Sequence, residues 1–255
     1  MTANRDAVEI LGLPDSAKVG QRLTKKLLAA QFDASRSDVR FITRAVSSAQ
    51  VVAILRPETI QVPPYHDDER AVVDIAILDV AFWEAVSGRD RSRLAELLHR
   101  SMPRPVVAFL RIPGGDVVLS LALSRPSRTE PERSTIEASV QIPLDDIAAD
   151  ALHISRLNRT DVWALYRDLV RVAAAGGWPG NGAMTAEDAV MLRRRLIELE
   201  IELAALVREV KREKNQQRRI DLNARGRDIR SQIVRVRGSL YSTDSPNILD
   251  VGGTQ

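Results

Sequence analysis

Apolar residues recur at alternating spacings of four and three along two stretches near the carboxyl end of the chain. The first series is Leu192, Leu196, Leu199, Leu203, Leu206 and Val210, and the second is Leu222, Ile229, Ile233, Val236 and Leu240. This spacing places the residues on one side of an α-helix, and such a side must be covered by another helix. The pattern therefore predicts two helix seams, and it constrains the fold more than any other feature of the sequence.

A wholly polar segment, Lys211 to Arg219 (KREKNQQRR), separates the two seams. One interpretation is a helical hairpin, in which the seams pack on each other and the polar segment forms a basic tip. The other is a continuous helix, because Val210, Lys214, Arg218 and Leu222 keep a spacing of four and would only shift the apolar stripe. A continuous helix would leave an apolar seam that needs a partner, whereas in a hairpin the two seams largely cover each other. We favour the hairpin.

The basic character of the chain is concentrated in the same region. The net charge is +3, but Arg208 to Arg237 holds eleven Lys and Arg residues against four acidic ones. The candidate contact residues are Lys211, Arg212, Lys214, Arg218, Arg219, Arg225, Arg227 and Arg230. They fit either a solvated helix face, neutralised by glutamates of the preceding helix, or a surface that contacts phosphate groups. No aromatic residue is interleaved for base stacking, so nucleic acid would be held by its backbone.

The first 178 residues are predicted to form an α+β domain. Helical patterns cover 23–32, 39–46, 91–100 and 161–175, and strand patterns cover 50–55, 59–62, 71–81, 106–112, 117–123 and 136–142. Because short turns join consecutive strands, this order predicts a mainly antiparallel sheet with flanking helices. A linker at 178–184 then leads into the helical hairpin or coiled-coil arm at 179–241, with Thr185 and Asp188 as a capping pair. Residues 242–255 are predicted to be a disordered tail.

The sequence contains no motif that supplies catalysis. It has no cysteine, and it lacks the Gly-rich nucleotide-binding loops and the nucleophile elbow of serine hydrolases. Asp74 and Asp79 interrupt an apolar strand, but the predicted strands that follow them lack the Glu-x-Lys or Asp-x-Lys that a nuclease would carry on a neighbouring strand. We interpret both as strand-end or arginine-paired structural residues, and His66 to Glu69 as a solvated turn. No catalytic residue, metal or cofactor is therefore expected.

No segment has the apolar core of a secretory signal, or the run of about 18 apolar residues that spans a bilayer. The absence of cysteine agrees with a reducing compartment. A cytoplasmic protein without membrane association is expected.

Five stretches together carry a resemblance to a known family. They are LPDSAKVGQRLTKKLL (13–28), ILRPETIQVPPYHDDERAVVDIAIL (54–78), RPVVAFLR (104–111), LSLAL (119–123) and EKNQQRRIDLN (213–223). The chain resembles an uncharacterised bacterial family, domain of unknown function 4391, over nearly its whole length. That family has no established activity, so the resemblance implies no catalytic residues. Its members are often found near DNA methyltransferases and helicases of restriction or phage-defence systems, which implies an accessory role.

We therefore expect a non-enzymatic accessory or scaffolding subunit of a bacterial DNA-modification, restriction or phage-defence complex. Its arm would associate with a DNA methyltransferase or helicase subunit, or with a second copy of the chain. The alternative is a nucleic-acid-binding module that contacts the phosphate backbone through the basic surface of the arm. A third option is an enzyme built around Asp74 or Asp79.

Overall fold

The computed structural model describes residues 6–31, 35–114, 116–126, 134–179 and 183–241. The helices are α1 (Ala7–Leu11), α2 (Lys25–Gln31), α3 (Arg36–Ala45), α4 (Pro57–Ile60), α5 (Gly88–Ser101), α6 (Val162–Ala174), α7 (Ala186–Arg212) and α8 (Gln216–Leu240). The strands are β1 (Lys18–Arg22), β2 (Val46–Leu55), β3 (Tyr65–His66), β4 (Ala71–Val72), β5 (Ile75–Phe82), β6 (Val106–Arg111), β7 (Val117–Pro126) and β8 (Ser134–Pro143). The predicted tail at 242–255 and the middle of the predicted linker, 180–182, lie outside the described residues.

A six-stranded sheet is at the centre of the described part of the chain, with the strand order β1-β2-β5-β6-β7-β8. Neighbouring strands pair antiparallel except β5 and β6, which are parallel. That exception follows from α5, because a crossover helix returns the chain to the end of the sheet where β5 began. The prediction of an α+β fold with a mainly antiparallel sheet is confirmed.

Three local features differ from the sequence prediction. The segment 59–62 is predicted to be extended, but Thr59 and Ile60 belong to α4 and Gln61 has a left-handed backbone conformation with φ 54°, so that prediction is wrong. Pro57 occupies the start of α4, where its fixed φ favours a helix and its missing N–H costs nothing. The sequence pattern does not predict β1, because all five of its residues are exposed and none marks a buried face. The predicted strand at 71–81 is divided, since β4 pairs with β3 whereas β5 joins the main sheet.

The sheet separates two hydrophobic cores. On one face α6, α7 and α8 contribute to a core in which Phe109 and Leu165 are fully buried. On the other face α2, α3 and α5 contribute to a core in which Leu78 and Leu98 are fully buried. Because both faces are covered, the central strands β5 and β6 consist almost wholly of buried apolar residues.

A buried tyrosine joins α6 to the sheet. The Tyr166 hydroxyl lies 2.9 Å from the carbonyl oxygens of Val106 and Ala122, and it accepts a hydrogen bond from the Ala122 amide at 3.1 Å. Its single hydrogen can be donated to one of the two carbonyls at a time. Burial raises the pKa of this hydroxyl, so it stays protonated and able to donate. The hydroxyl thereby links Val106 of β6 to Ala122 of β7, one residue beyond the last direct pair of the two strands, Val107 with Leu121.

α7 and α8 form an antiparallel hairpin. Residue numbers rise along α7 as they fall along α8 in the contacts of Arg195 with Gln232, Glu202 with Arg225, and Glu209 with Arg218. Residues 213–215 connect the two helices. The rest of the polar segment belongs to α7 and α8, because a polar turn of helix can remain in solvent. The structure thus contains the hairpin and not the continuous helix. None of the described helices combines the length and apolar content needed to cross a bilayer.

The predicted seam residues lie between the two helices and in the adjoining core. Leu196, Leu199, Leu206, Ile229, Ile233 and Leu240 are buried, and Leu192, Leu203, Leu222 and Val236 are half-buried against them. Val210 is also half-buried, near the connected end of the hairpin. The two seams therefore cover each other within one chain.

Arg193 fixes the start of the hairpin on the rest of the fold. Its Nε donates a hydrogen bond to the Ala174 carbonyl at the end of α6 at 2.7 Å, and its guanidinium lies 5.6 Å from the centre of the Tyr241 ring. The residue is only 7% exposed, and its Nη2 has no hydrogen-bond partner among the described residues. Arg193 joins α6, α7 and the residue that follows α8 at one point.

We expect Arg193→Ala to lower the free energy of unfolding by about 1–3 kcal/mol, because it leaves the Ala174 carbonyl without its charged donor and removes the contact with Tyr241. The substitution also removes the buried Nη2, which has no hydrogen-bond partner among the described residues. We therefore expect a smaller loss of stability than for a buried arginine whose donors are all hydrogen-bonded. Urea denaturation of the two proteins measures the difference.

Arg194→Ala is the matched control for Arg193→Ala, because it makes the same substitution at the next residue of α7, where the side chain is exposed. We expect it to change the free energy of unfolding by no more than about 0.5 kcal/mol. Equal losses in the two variants would show that Arg193 has no special role in holding the hairpin.

Candidate functional site

The predicted basic residues gather toward the connected end of the hairpin, and all of them are exposed. Lys211 and Arg212 end α7, Lys214 lies in the connection, and the five arginines lie in the first part of α8. Glu198 is the last residue of α7 that borders the cleft beside the sheet, and Arg212 lies about 21 Å further along the helix. α8 packs on α7, and no other described element contacts α8 to a similar extent.

Glutamates of α7 and of the connection neutralise two of these arginines. Arg225 forms a salt bridge with Glu202, and Arg218 lies 3.3 Å from Glu213 and 3.9 Å from Glu209. Exposed pairs of this kind contribute roughly 0.2–1 kcal/mol each. This part of the basic surface has the character of a solvated helix face.

The other six predicted residues have no charge partner in the part of the chain that the structure describes. Lys211, Arg212, Lys214, Arg219, Arg227 and Arg230 form no salt bridge and no side-chain hydrogen bond within the described residues. Exposed cations without a protein partner are neutralised by solution anions, which a polyanion can replace. The structure therefore brings free positive charge together at the end of the arm.

A groove of about 210 Å³ runs between the two helices near this end. Its floor is apolar and includes the seam residues Leu206 and Leu222. Lys211 borders it from α7, and Asn223 and Arg230 border it from α8. Asn223 is not among the residues predicted from the sequence, since a single polar residue on a polar helix face gives no signal. The groove combines a hydrophobic floor with a polar and cationic rim.

Asp74 and Asp79 are each paired with one arginine. Arg104 donates to Asp74 at 2.7 Å, and Arg111 donates to Asp79 at 2.7 Å. Burial raises the pKa of Asp79, and the charge of Arg111 opposes that rise. Asp79 lies within β5 and Asp74 directly before it, and the two carboxylates bond different arginines. They do not share one site, and the contacts agree with the interpretation as arginine-paired residues.

The acidic segment after β3 forms a tight turn. Asp67 accepts hydrogen bonds from the Tyr65 hydroxyl at 2.6 Å and from the amides of Glu69 and Arg70 at 2.8 and 2.6 Å. The tyrosine hydroxyl and these amides lower the pKa of Asp67. The Asp67 carboxylate is thus used to close the β3–β4 hairpin. No group of three or more His, Asp or Glu side chains suited to a metal ion occurs among the residues described.

A cleft of about 620 Å³ lies between α5, the edge strand β8 and α7. Charged side chains of both signs line it, including Glu96 and Arg100 from α5 and Arg194 and Glu198 from α7. Glu96 and Arg100 pair with each other at 3.3 Å. The sequence does not predict this cleft, because its walls come from elements far apart along the chain and no local motif marks them.

His99 and Ser120 form a buried polar pair in the cleft wall. Nε2 of His99 lies 3.0 Å from Oγ of Ser120, and the residues are 4% and 1% exposed. Burial lowers the pKa of His99 from 6.5 to about 4, because a charged imidazole would lose its hydration. A serine and a histidine can act as nucleophile and base, but this serine is inaccessible and this histidine is a weak base. Among the described residues no carboxylate bonds to His99, so we interpret the pair as a structural link between α5 and β7.

The fold and the arm define an α+β protein with a C-terminal helical hairpin. The chain belongs to the family described as Domain of unknown function (DUF4391), whose model matches residues 11–233. No curated protein matches the chain, and no solved structure matches it. The resemblance seen in the sequence is confirmed at the level of the family. The association with DNA methyltransferases and helicases stays a prediction.

We expect the stability of the protein to fall as the pH is lowered from 6.5 toward 4. In the unfolded chain His99 takes up a proton near pH 6.5, whereas in the native protein it stays neutral until about pH 4. The native pKa is the lower of the two, so its contribution is complete above pH 6.5 and decreases through this interval by up to about 3 kcal/mol. Chemical denaturation at a series of pH values measures the slope.

His99→Gln should flatten this part of the pH profile, because glutamine can still bond Ser120 but does not titrate. His66→Gln is the control, since His66 is exposed and its removal should leave the profile of the native protein. An unchanged slope in His99→Gln would contradict the role given to burial of His99.

Proposed function

We propose that this chain is a non-enzymatic accessory subunit of a bacterial DNA-modification, restriction or phage-defence complex, and that it binds nucleic acid through the basic end of its α7–α8 hairpin. The observation that carries the proposal is the group of free cations formed by Lys211, Arg212, Lys214, Arg219, Arg227 and Arg230. The kind of complex is suggested by the resemblance to the family, and the contact is suggested by the charges.

The hairpin favours nucleic-acid binding over pairing with a partner helix as the use of the arm. A continuous helix would carry a seam that requires a partner, but here the seams cover each other. What remains exposed at the connected end is mainly charge of one sign. A surface of this kind attracts polyanions over distances of about 10 Å at moderate salt.

The proposed absence of catalysis rests on the surroundings of three ionisable residues, Asp74, Asp79 and His99. Asp74 and Asp79 are engaged with two different arginines, Arg104 and Arg111. His99 is held neutral next to a buried serine. None of these groups combines exposure with a partner that would activate it.

We expect duplex DNA to bind the full chain with an affinity that falls steeply as salt rises from about 50 to about 200 mM, because each phosphate contact releases counterions. Fluorescence anisotropy with a labelled oligonucleotide measures the affinity at each salt concentration. A protein that binds neither duplex nor single-stranded DNA at the lowest salt would rule out the nucleic-acid role.

A second candidate function, association with a protein partner, is favoured by exposed apolar residues on the outer side of α7. Ile197 and Ile201 lie one turn apart and are 39% and 63% exposed. Both face away from the seam, because the seam positions Leu196 and Leu199 point toward α8. They could add to a contact with a DNA methyltransferase or helicase subunit, or with a second copy of the chain.

We expect the double substitution Ile197→Ser and Ile201→Ser to abolish co-purification of such a subunit, or to convert a dimer to a monomer, if α7 is the contact. Mass spectrometry of the purified complex and analytical ultracentrifugation provide the two readouts. The control is Ile220→Ser with Val234→Ser on α8, which are also exposed. A native complex that survives the α7 substitutions would exclude this contact.

A further inference from the structure

We infer that one side of the hairpin alone holds nucleic acid: Lys211, Arg219, Arg227 and Arg230 form an open face that contacts the phosphate backbone of a DNA duplex side-on. We call the side that carries Arg218 and Arg225 the paired face. This inference rests on the proposed function and assigns that function to a defined surface.

The open face follows from the positions of its residues on α8. Arg219, Asn223, Arg227 and Arg230 are separated by four, four and three residues, so they form a single stripe along the helix. Asn223 and Arg230 both border the interhelical groove, and Lys211 borders the same groove from α7. The stripe from Arg219 to Arg230 is about 17 Å long, which is enough to meet several phosphates of one strand.

The paired face lies on the other side of the seam. Arg218 and Arg225 are seven residues apart on α8, and Glu202 and Glu209 are seven residues apart on α7. These two rows meet in the salt bridges Arg225–Glu202 and Arg218–Glu209, with Arg218 also close to Glu213. A phosphate approaching this side would meet carboxylates as well as guanidinium groups, so attraction and repulsion largely cancel.

Among the described residues, the open face lacks a row of α7 carboxylates opposite its arginines. Glu200, the acidic residue of α7 on this side, is taken up by Arg237 at 2.7 Å. Lys211, Arg219, Arg227 and Arg230 have no charged partner among the described residues. Each can therefore neutralise a phosphate without first giving up an ion pair, and each contact releases counterions from the nucleic acid.

The shape of the hairpin indicates a duplex backbone as the ligand. Two packed helices are about 20 Å across, whereas the major groove of B-DNA is about 12 Å wide, so the pair cannot enter the groove side-on. Between Gln216 and Leu240, α8 contains no aromatic residue on which an unpaired base could stack. Contact with the outside of a duplex, without reading of the bases, is the mode that fits both facts.

The test compares two triple variants of the full chain that remove equal charge. The open-face variant carries Arg219→Gln, Arg227→Gln and Arg230→Gln, and the control carries Arg195→Gln, Arg218→Gln and Arg225→Gln, all at exposed positions. Affinity for two duplexes of unrelated sequence is measured against salt. For the open-face variant we expect the slope of log affinity against log salt to become shallower by about three, and for the control to stay near that of the native protein. The two duplexes should bind equally well.

A further variant with Arg219→Lys, Arg227→Lys and Arg230→Lys keeps the charge and should restore the slope, which separates loss of contact from loss of folding. Equal weakening by the two glutamine variants, or weakening by the control alone, would overturn the assignment to one face while leaving DNA binding by the arm in place. Binding that neither variant weakens would overturn both the face and the arm as the site. No salt-dependent binding by the native chain would overturn the proposed function itself.

Discussion

The apolar residues of α7 need cover both from the core beside the sheet and from a second helix. The hairpin form of the arm follows from this requirement. Its first turns pack Ala186, Ala189 and Val190 into the core beside the sheet. Its seam continues to Leu206, beyond the cleft next to the sheet. Burying one leucine side chain is worth about 2 kcal/mol, so an uncovered outer seam would be costly. A second helix from the same chain provides the cover, and the connection between the helices is thereby placed away from the sheet.

Packing of the seams also decides which charges meet. Once the seams are in register, the residues beside them have fixed neighbours across the interface. Glu202 and Glu209 of α7 fall on one side, opposite Arg225 and Arg218. Within the described residues, the other side of α8 receives only one carboxylate from α7, Glu200, which pairs with Arg237. Four of the cations that lack a charge partner among the described residues, Lys211, Arg219, Arg227 and Arg230, therefore lie on one side, which neither the net charge nor the composition reveals.

The sequence predicts features that depend on neighbouring residues and misses those that depend on contacts between distant ones. The Thr185–Asp188 capping box forms as predicted, because both partners lie within one turn, and the seams are visible because their period is local. The joining of Arg193 to Ala174 and Tyr241 has no local signal. The need for glycine at position 12 also depends on a distant residue, because a Cβ added there would lie 1.8 Å from the ring of His153.

Asn223 gives the strongest argument that the open face is used for an external anion. It lies four residues after Arg219 and four before Arg227, where a glutamate would pair with both and stabilise the helix by roughly 0.2–0.5 kcal/mol for each pair. A surface that served only to keep α8 soluble would gain from that glutamate. With a neutral side chain, Arg227 and Arg230 also repel each other across one turn, at a cost that burial of the seam offsets. The open face lacks an ion pair at Asn223, whereas Arg218 and Arg225 form ion pairs on the paired face, and this difference supports the proposed contact with a phosphate backbone.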